Sequence, residues 1–146
     1  MMEPLRVEAL VKTQPARRSM PCIVEVTLTN QSADSFLIVA RLSVGYNDST
    51  DRELFADVFR QGTDEVVSRH ARLYQRDPPG HQDYLSLEPG KSISTTFDLF
   101  KWYKLPGSGA YDLVVSYSAD EWLSNQREGL LIGTYSSNRI PFDVIA

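Results

Sequence analysis

The sequence predicts an all-β domain in which short strands pack as an antiparallel sandwich. Apolar and polar residues alternate in many short segments, and turn-forming residues separate these segments at fairly regular intervals. No segment shows a sustained helical pattern, in which apolar residues recur about every 3.6 residues. We expect residues 1–146 to form a single domain, because a chain of this length buries a sizeable core without disulfides or metals.

The clearest strands lie at the centre of the chain, from Leu85 to Tyr117. Side chains alternate from Ile93 to Leu99, with the odd-numbered positions predicted to be buried. A turn is predicted before this strand at Glu88–Gly90, and a break after it at Pro106–Gly109. The alternation resumes from Tyr111 to Tyr117. The centre of the chain is therefore predicted to be a β unit.

The same criteria predict strands before and after the centre. Phe36–Val44 is more continuously apolar than the other segments, which suits a strand covered on both faces or centrally placed. Its length also suits a short helix, but its β-branched residues and the following Gly45 favour a strand. Pro141 predicts an edge strand or a bulge, and Asp120 is a candidate cap for one or two helical turns. The other predicted strands are Leu5–Val11, Val24–Asn30, Leu54–Phe59 in a hairpin with Glu65–Val67, and Leu130–Tyr135 with Ile140–Val144.

In total, about seven to nine strands are predicted, which favours an Ig-like antiparallel Greek-key β-sandwich. Gly109-Ala110-Tyr111 has the pattern of a tyrosine corner, in which the phenol bonds a nearby backbone group at a crossover between sheets. Alternatively, Tyr111 is simply a large, half-buried strand residue. Both interpretations are consistent with the sequence.

Composition excludes several classes of function. Lys and Arg total 15 against 19 acidic residues, giving a net charge of −4, so no nucleic-acid partner is expected. The arginines from Arg60 to Arg76 are interspersed with acids, which favours a solvated, salt-bridged face over an anion site. No apolar run reaches the ~20 residues of a membrane helix, and the amino terminus lacks signal-peptide features. Neither a membrane partner nor a particular compartment is predicted.

The sequence contains none of the common catalytic motifs. His70 and His81 do not form the HExxH pattern of a zinc hydrolase, and Leu85 stands where a phosphate loop ending in Gly90-Lys91-Ser92 would need glycine. The lone Cys22 lies in an apolar strand-like run, which favours a buried, reduced thiol. We therefore predict no enzyme activity, no catalytic residue, no metal and no cofactor.

Aromatic residues in predicted loops are the remaining candidates for function. Rings exposed to water are candidate anchors for a protein partner, although they can also fold back and close an end of the sandwich. The predicted binding loops are Ser68–Tyr84 and Phe100–Ser108. The candidate partner-binding residues are Arg72, Tyr74, Arg76, Tyr84, Trp102 and Tyr103. The alternative function is a carbohydrate-binding module that stacks sugars on Trp102, Tyr103 or Trp122.

The order of features from about Val26 to Tyr117 resembles a known type of domain. LTNQSADSF, LFADVFRQGTDEV and RLYQRDPPGHQDYLSLEPGKSISTTFDL, followed by the Tyr103–Tyr111 region, are similar to successive pieces of the non-catalytic amino-terminal β domain of deuterolysin-like (peptidyl-Lys type) zinc metallopeptidases. The segment from Gly45 to Asp48 departs from that pattern, because such domains carry Thr-Pro-Leu there. We expect a non-catalytic domain without the protease of that family, so no catalytic residue is carried over.

The resemblance implies a non-catalytic protein-binding module, with a peptidase as the candidate partner. In that family the domain acts as a pro-region or an accessory element of an enzyme, so we expect an inhibitor-like, pro-region-like or accessory role for this chain. The resemblance also implies a secreted or cell-envelope location. Neither the residues nor the resemblance predicts an oligomeric state.

Overall fold

The computed structural model describes residues 3–40, 42, 44–45, 53–67, 83–103, 105–119 and 128–146. These residues form an all-β, sandwich-like fold, which confirms the predicted fold class. The elements are β1 Leu5–Val11, β2 Ala16–Arg17, β3 Ile23–Asn30, β4 Phe36–Val39, β5 Val44–Gly45, β6 Leu54–Arg60, β7 Tyr84–Leu87, β8 Ser92–Asp98, α1 Leu99–Trp102, β9 Gly109–Ala119, β10 Gly133–Ser136 and β11 Ile140–Ile145. This described part holds eleven strands rather than seven to nine, because β2 and β5 are two-residue pieces.

The strands form two sheets and a separate pair. The front sheet has the order β1-β3-β8, and the back sheet has the order β2-β11-β9-β6-β5, with β10 also pairing with β9. Strands β4 and β7 pair with each other. The longer pairings are antiparallel, as predicted, whereas the short β2–β11 and β5–β6 pairings are parallel.

The core lies between the inward faces of the two sheets. The front sheet contributes alternate residues of β1 and β3, and the back sheet contributes the odd-numbered positions of β9 and the even-numbered positions of β6. This alternation buries one flank of each strand, and Asp112 and Ser116 on the other flank of β9 are buried as well. The largest fully buried side chains include Tyr111, Tyr117, Phe142, Leu5 and Leu28.

Two predicted strands end earlier in the structure than in the sequence analysis. Strand β4 ends at Val39, and Leu42 has a positive φ of 46°, a conformation that does not continue a strand. Strand β8 ends at Asp98 and not at Leu99, because the Asp98 carboxylate accepts a hydrogen bond from the Phe100 N–H at 3.1 Å and caps α1. The predicted element types were correct, and the predicted ends were wrong.

A bulge separates β10 from β11 along one side of β9. Ser136 lies opposite Ser116, and Ile140 lies opposite Leu113. The three residues 137–139 therefore face the two residues 114–115, which is one extra residue on the outer strand. The bulge predicted from Pro141 is thus present just before that residue. The helical turns predicted after Asp120 lie outside the described residues.

The hairpin predicted after β6 is present, but its second strand is not fully formed. Gly62 takes a positive φ of 75° in the turn, which glycine tolerates because it lacks a Cβ. Beyond the turn the chain returns along β6, where the Val67 N–H donates to the Val58 carbonyl at 2.9 Å and the Arg60 N–H donates to the Glu65 carbonyl at 3.1 Å. The returning segment forms only an isolated bridge, between Phe59 and Val66.

Candidate interaction surface

Most of the predicted partner-binding residues lie outside the described part of the chain. The structure describes the side chains of Tyr84 and Tyr103 only. The others, for which no side-chain position is described, are Arg72, Tyr74, Arg76 and Trp102. Trp122 and both histidines, His70 and His81, also lie outside the described residues. The loop Ser68–Tyr84 is described only from Asp83 onward.

Tyr103 is not an exposed anchor. Its side chain is 2% exposed, and its hydroxyl accepts a hydrogen bond from the Ala56 N–H at 2.8 Å. The prediction that Tyr103 contacts a partner or a sugar is therefore wrong, because its ring is buried in the core. The ring does fold back into the core, as the alternative interpretation expected, but its hydroxyl lies beside the middle of β6.

Tyr84 is half-buried and begins β7, opposite Val39 of β4. The neighbouring Tyr117 is fully buried, and its hydroxyl accepts a hydrogen bond from the Val39 N–H at 2.9 Å. Burial raises the pKa of Tyr117 well above its ordinary value of 10.0, and the nearby Glu53 raises it further. Tyr84 thus borders a buried cluster and exposes only part of its ring.

Tyr111 forms the tyrosine corner that its sequence context suggested. Its hydroxyl donates a hydrogen bond to the Gly107 carbonyl at 2.6 Å, four residues upstream. The ring is buried and packs against Phe142, with 5.8 Å between the ring centroids. Tyr111 therefore ties the Pro106–Gly109 segment to β9, and its role is structural.

The hydroxyls of Tyr103 and Tyr117 accept hydrogen bonds from backbone N–H groups at sheet edges. In β6 the odd-numbered residues bond to β9, as the Ser118 N–H to Glu53 carbonyl bond and the Gln61 N–H to Ala110 carbonyl bond show. The Ala56 N–H therefore points to the opposite edge, where the Tyr103 hydroxyl accepts it. The hydroxyl of Tyr117 does the same at β4. Phenol oxygens thus replace strand partners at two edges.

The front sheet has a shallow depression on its solvent face at β1 and β3. Its volume is about 310 Å³, and it is lined by Glu8, Ala9, Leu10, Glu25 and Thr27. Leu10 lies opposite Glu25 in the strand register, and Glu8 lies opposite Thr27. The Leu10 side chain is 56% exposed although it is a large apolar residue. An exposed leucine between two carboxylates is thus the central feature of this depression.

Both carboxylates of the depression are already in ion pairs at the surface. The Glu8 carboxylate lies 3.1 Å from the Arg6 guanidinium, and the Glu25 carboxylate lies 3.8 Å from the Lys12 ammonium. All four side chains are substantially solvated, so each pair contributes only ~0–1 kcal/mol of stability. These carboxylates are therefore able to exchange partners at low cost.

Sequence analysis did not identify Leu10 as a surface feature. In β1 every second side chain faces the core, and these are Leu5, Val7, Ala9 and Val11. Leu10 lies on the opposite face of the strand, with the charged residues. A large apolar residue on the polar side of an alternating strand was the available signal. That signal is weak by itself, because single exposed leucines are common on protein surfaces.

Cys22 is a poor candidate for a nucleophile. Its side chain is fully buried, and burial raises the pKa of its thiol from 9.0 to about 11. At neutral pH the group is therefore a protonated thiol and not the reactive thiolate. Among the residues that the structure describes, no group of three or more His, Cys, Asp or Glu side chains is arranged to hold a metal ion.

No described helix has both the length and the apolar character needed to span a membrane. Comparison of the chain with protein-family models gives no match. Comparison with curated proteins gives no significant match either.

Proposed function

We propose that this chain is a non-catalytic protein-binding module that contacts its partner through the Leu10 depression of the front sheet. The observation that carries the proposal is the exposed Leu10 side chain, held in a concave site between the carboxylates of Glu8 and Glu25. Strands β1 and β3 pair over seven successive positions, so the site has a rigid base. A rigid, concave site with an apolar centre is suited to receive a side chain of another protein.

The chemistry of the depression favours a lysine or arginine of the partner. Such a side chain has an aliphatic stem, which would cover Leu10, and a cationic head, which would reach Glu8 or Glu25. The net charge of −4 would steer a basic partner surface toward the chain. Burying Leu10 under the stem supplies the apolar part of the contact, and the carboxylates supply orientation.

The sequence resemblance makes peptidases the first class of partner to test. Under this proposal the chain acts as an inhibitor, a pro-region-like element or an accessory domain, in a secreted or cell-envelope setting. An immunoglobulin-like sandwich topology is part of the same proposal. The sandwich-like fold with a tyrosine corner at Tyr111 supports that topology.

The experiment measures binding of the chain to a panel of metallo- and serine peptidases by biolayer interferometry, together with the activity of each enzyme. Leu10→Ser and the double variant Glu8→Gln/Glu25→Gln test the depression. Leu85→Ser is the matched control, because Leu85 is also an exposed leucine, at 40%, but lies on β7. We expect about a tenfold or greater loss of affinity for the first two variants and no change for the control.

Two results would contradict the proposal. If no peptidase in the panel forms a complex, the choice of peptidases as partners fails. If a complex forms and Leu10→Ser binds as tightly as the unmodified chain, the depression is not the contact site. Thermal unfolding of each variant checks that the fold is intact before binding is compared.

A further inference from the structure

Strand β8 is an edge of the front sheet whose second side has no strand partner in the described part of the chain. The bonds from the Leu99 N–H to the Cys22 carbonyl and from the Asn30 N–H to the Lys91 carbonyl show that the odd-numbered residues of this segment bond toward β3. The backbone groups of the even-numbered residues therefore point away from β3. These outward-pointing residues are Ser92, Ser94 and Thr96.

This edge lacks the features with which proteins block edge pairing. Charged side chains, prolines and bulges normally prevent a second strand from adding to an edge. Strand β8 pairs with β3 in a regular register over seven positions, and it carries no proline and no charge before Asp98. At the other edge of the same sheet, β1 carries Arg6 and Glu8.

We propose that a second copy of this chain pairs with β8 in an antiparallel arrangement centred on Thr95. In this register Ser94 of each copy lies opposite Thr96 of the other, and the outward-pointing backbone groups of both residues form hydrogen bonds across the dyad. Ser92 of each copy lies opposite Asp98 of the other. The front sheet then continues from one copy into the second.

The side chains of β8 are complementary to themselves in this register. On the solvent face, hydroxyl groups meet hydroxyl groups at Ser94 and Thr96, and no like charges are opposed. The chain already uses this chemistry between its own strands, where the Thr27 and Ser94 hydroxyls lie 2.9 Å apart. On the inner face, the partly buried Ile93 lies opposite Phe97 of the second copy, which adds apolar burial twice.

The contact is small, and this determines how it must be measured. A seven-residue strand pair buries less than the ~1,200 Å² of a stable interface, so a weak dimer is expected. Sedimentation equilibrium over about 10 μM to about 1 mM covers the range of such an affinity. Amide hydrogen exchange at the same concentrations reports on Ser92, Ser94 and Thr96 individually.

Like charges at the two positions that face each other across the dyad test the register. The double variants Ser94→Lys/Thr96→Lys and Ser94→Glu/Thr96→Glu each place like charges directly opposite one another, because Ser94 of one copy lies opposite Thr96 of the other. Each variant alone should remain monomeric, and an equimolar mixture of the two should associate again. Thr134→Lys is the matched control, since Thr134 is also exposed and its hydroxyl lies 2.9 Å from that of Ser118 on the back sheet. The unmodified chain and this control should gain mass and edge-amide protection as concentration rises.

Three results would overturn the proposal. The first is an unmodified chain that stays monomeric throughout the range. The second is association that persists in either double variant, and the third is association that the mixture of the two does not regain. The Leu10 depression lies on β1 and β3, and its Thr27 hydroxyl contacts that of Ser94. Leu10→Ser leaves β8 unchanged and should associate like the unmodified chain, so failure of this proposal is distinguishable from failure of the peptidase-binding proposal.

Discussion

The hydroxyl of Tyr103 accepts a hydrogen bond from the backbone N–H of Ala56 at 2.8 Å, at the edge of β6 that faces away from β9. A buried N–H without an acceptor costs ~1–3 kcal/mol. The phenol thus takes the place of a strand partner at this position. Because the same contact fixes the residue that follows α1, it also sets the path of the chain between β8 and β9.

Replacing Tyr103 by Phe should lower the free energy of unfolding by ~1–3 kcal/mol, because the Ala56 N–H loses its acceptor while the ring volume is kept. Urea denaturation followed by fluorescence measures this change. Tyr135→Phe is the control, since its hydroxyl donates to the Ile132 carbonyl at a less buried site and its loss should cost less. Equal effects of the two substitutions would contradict the role assigned to Tyr103.

Asn30 should be intolerant of substitution by Asp. Its side chain is fully buried, its amide group donates to the Asp34 and Leu87 carbonyls at 2.9 and 2.8 Å, and its oxygen accepts from Ser32. An aspartate places an acceptor where two carbonyl oxygens need a donor. We expect Asn30→Asp to lower the free energy of unfolding by ~2–4 kcal/mol at neutral pH.

Gln31→Glu provides the matched control for Asn30→Asp. The Gln31 amide also donates to a backbone carbonyl, that of Glu3, at 2.7 Å, but this bond is exposed to solvent. Its loss should cost less than ~1 kcal/mol, because water replaces the missing partner. If the two substitutions destabilise the fold equally, the buried bond from the Asn30 amide to the Leu87 carbonyl does not have the assigned role of linking the end of β3 to the end of β7.

The Cys22 thiol should be unreactive in the folded protein. It is fully buried, and its pKa is raised from 9.0 to about 11, so both access and ionisation are suppressed. A disulfide reagent such as dithiobis(nitrobenzoic acid) should label the chain at pH 8 only at the rate of unfolding, and fully in denaturant. Rapid labelling under native conditions would show that the site opens locally.

Stability should fall as the pH rises from about 9 to about 11. Below pH 9 the Cys22 thiol is protonated in both states, whereas above it the unfolded chain loses a proton that the folded chain retains, so the unfolded state is favoured. The raised pKa of Tyr117 adds a loss of the same sign above its ordinary value of 10.0. Cys22 accounts for about 2–3 kcal/mol of the total loss.

Urea denaturation of the unmodified chain and of Cys22→Ala at several alkaline pH values separates the thiol from the phenol. The variant should show a shallower decline between pH 9 and about 11, whatever its stability at neutral pH. Identical pH profiles for the two proteins would contradict the assignment to Cys22. Tyr117→Phe, measured in parallel, should make the decline in stability shallower only above about pH 10.

The sequence alone predicted the elements that depend on local patterning. Strands β1, β3 and β8 follow from alternating side chains, and the turn at Glu88–Gly90 follows from its turn residues, with Gly90 at a φ of 78°. Gly109-Ala110-Tyr111 suggested a tyrosine corner but was equally consistent with an ordinary half-buried strand residue, and the bond from the Tyr111 hydroxyl to the Gly107 carbonyl decides for the corner. For the strands and the turn, the deciding pattern lies within a few residues in sequence.

The tertiary structure decided which side chains face solvent at the places where sequence patterns are ambiguous. Tyr103 follows a short helix and looks exposed in sequence, yet it is buried because a backbone N–H 47 residues away needs an acceptor. Leu10 belongs to a correctly predicted strand, yet its place in a depression depends on Glu25 across the register. Sheet order likewise decides that β8 is an edge among the strands that the structure describes, since strand identity does not specify neighbours. Period-two alternation fixes where strands form, whereas long-range hydrogen bonding and pairing order fix which surfaces remain available for binding.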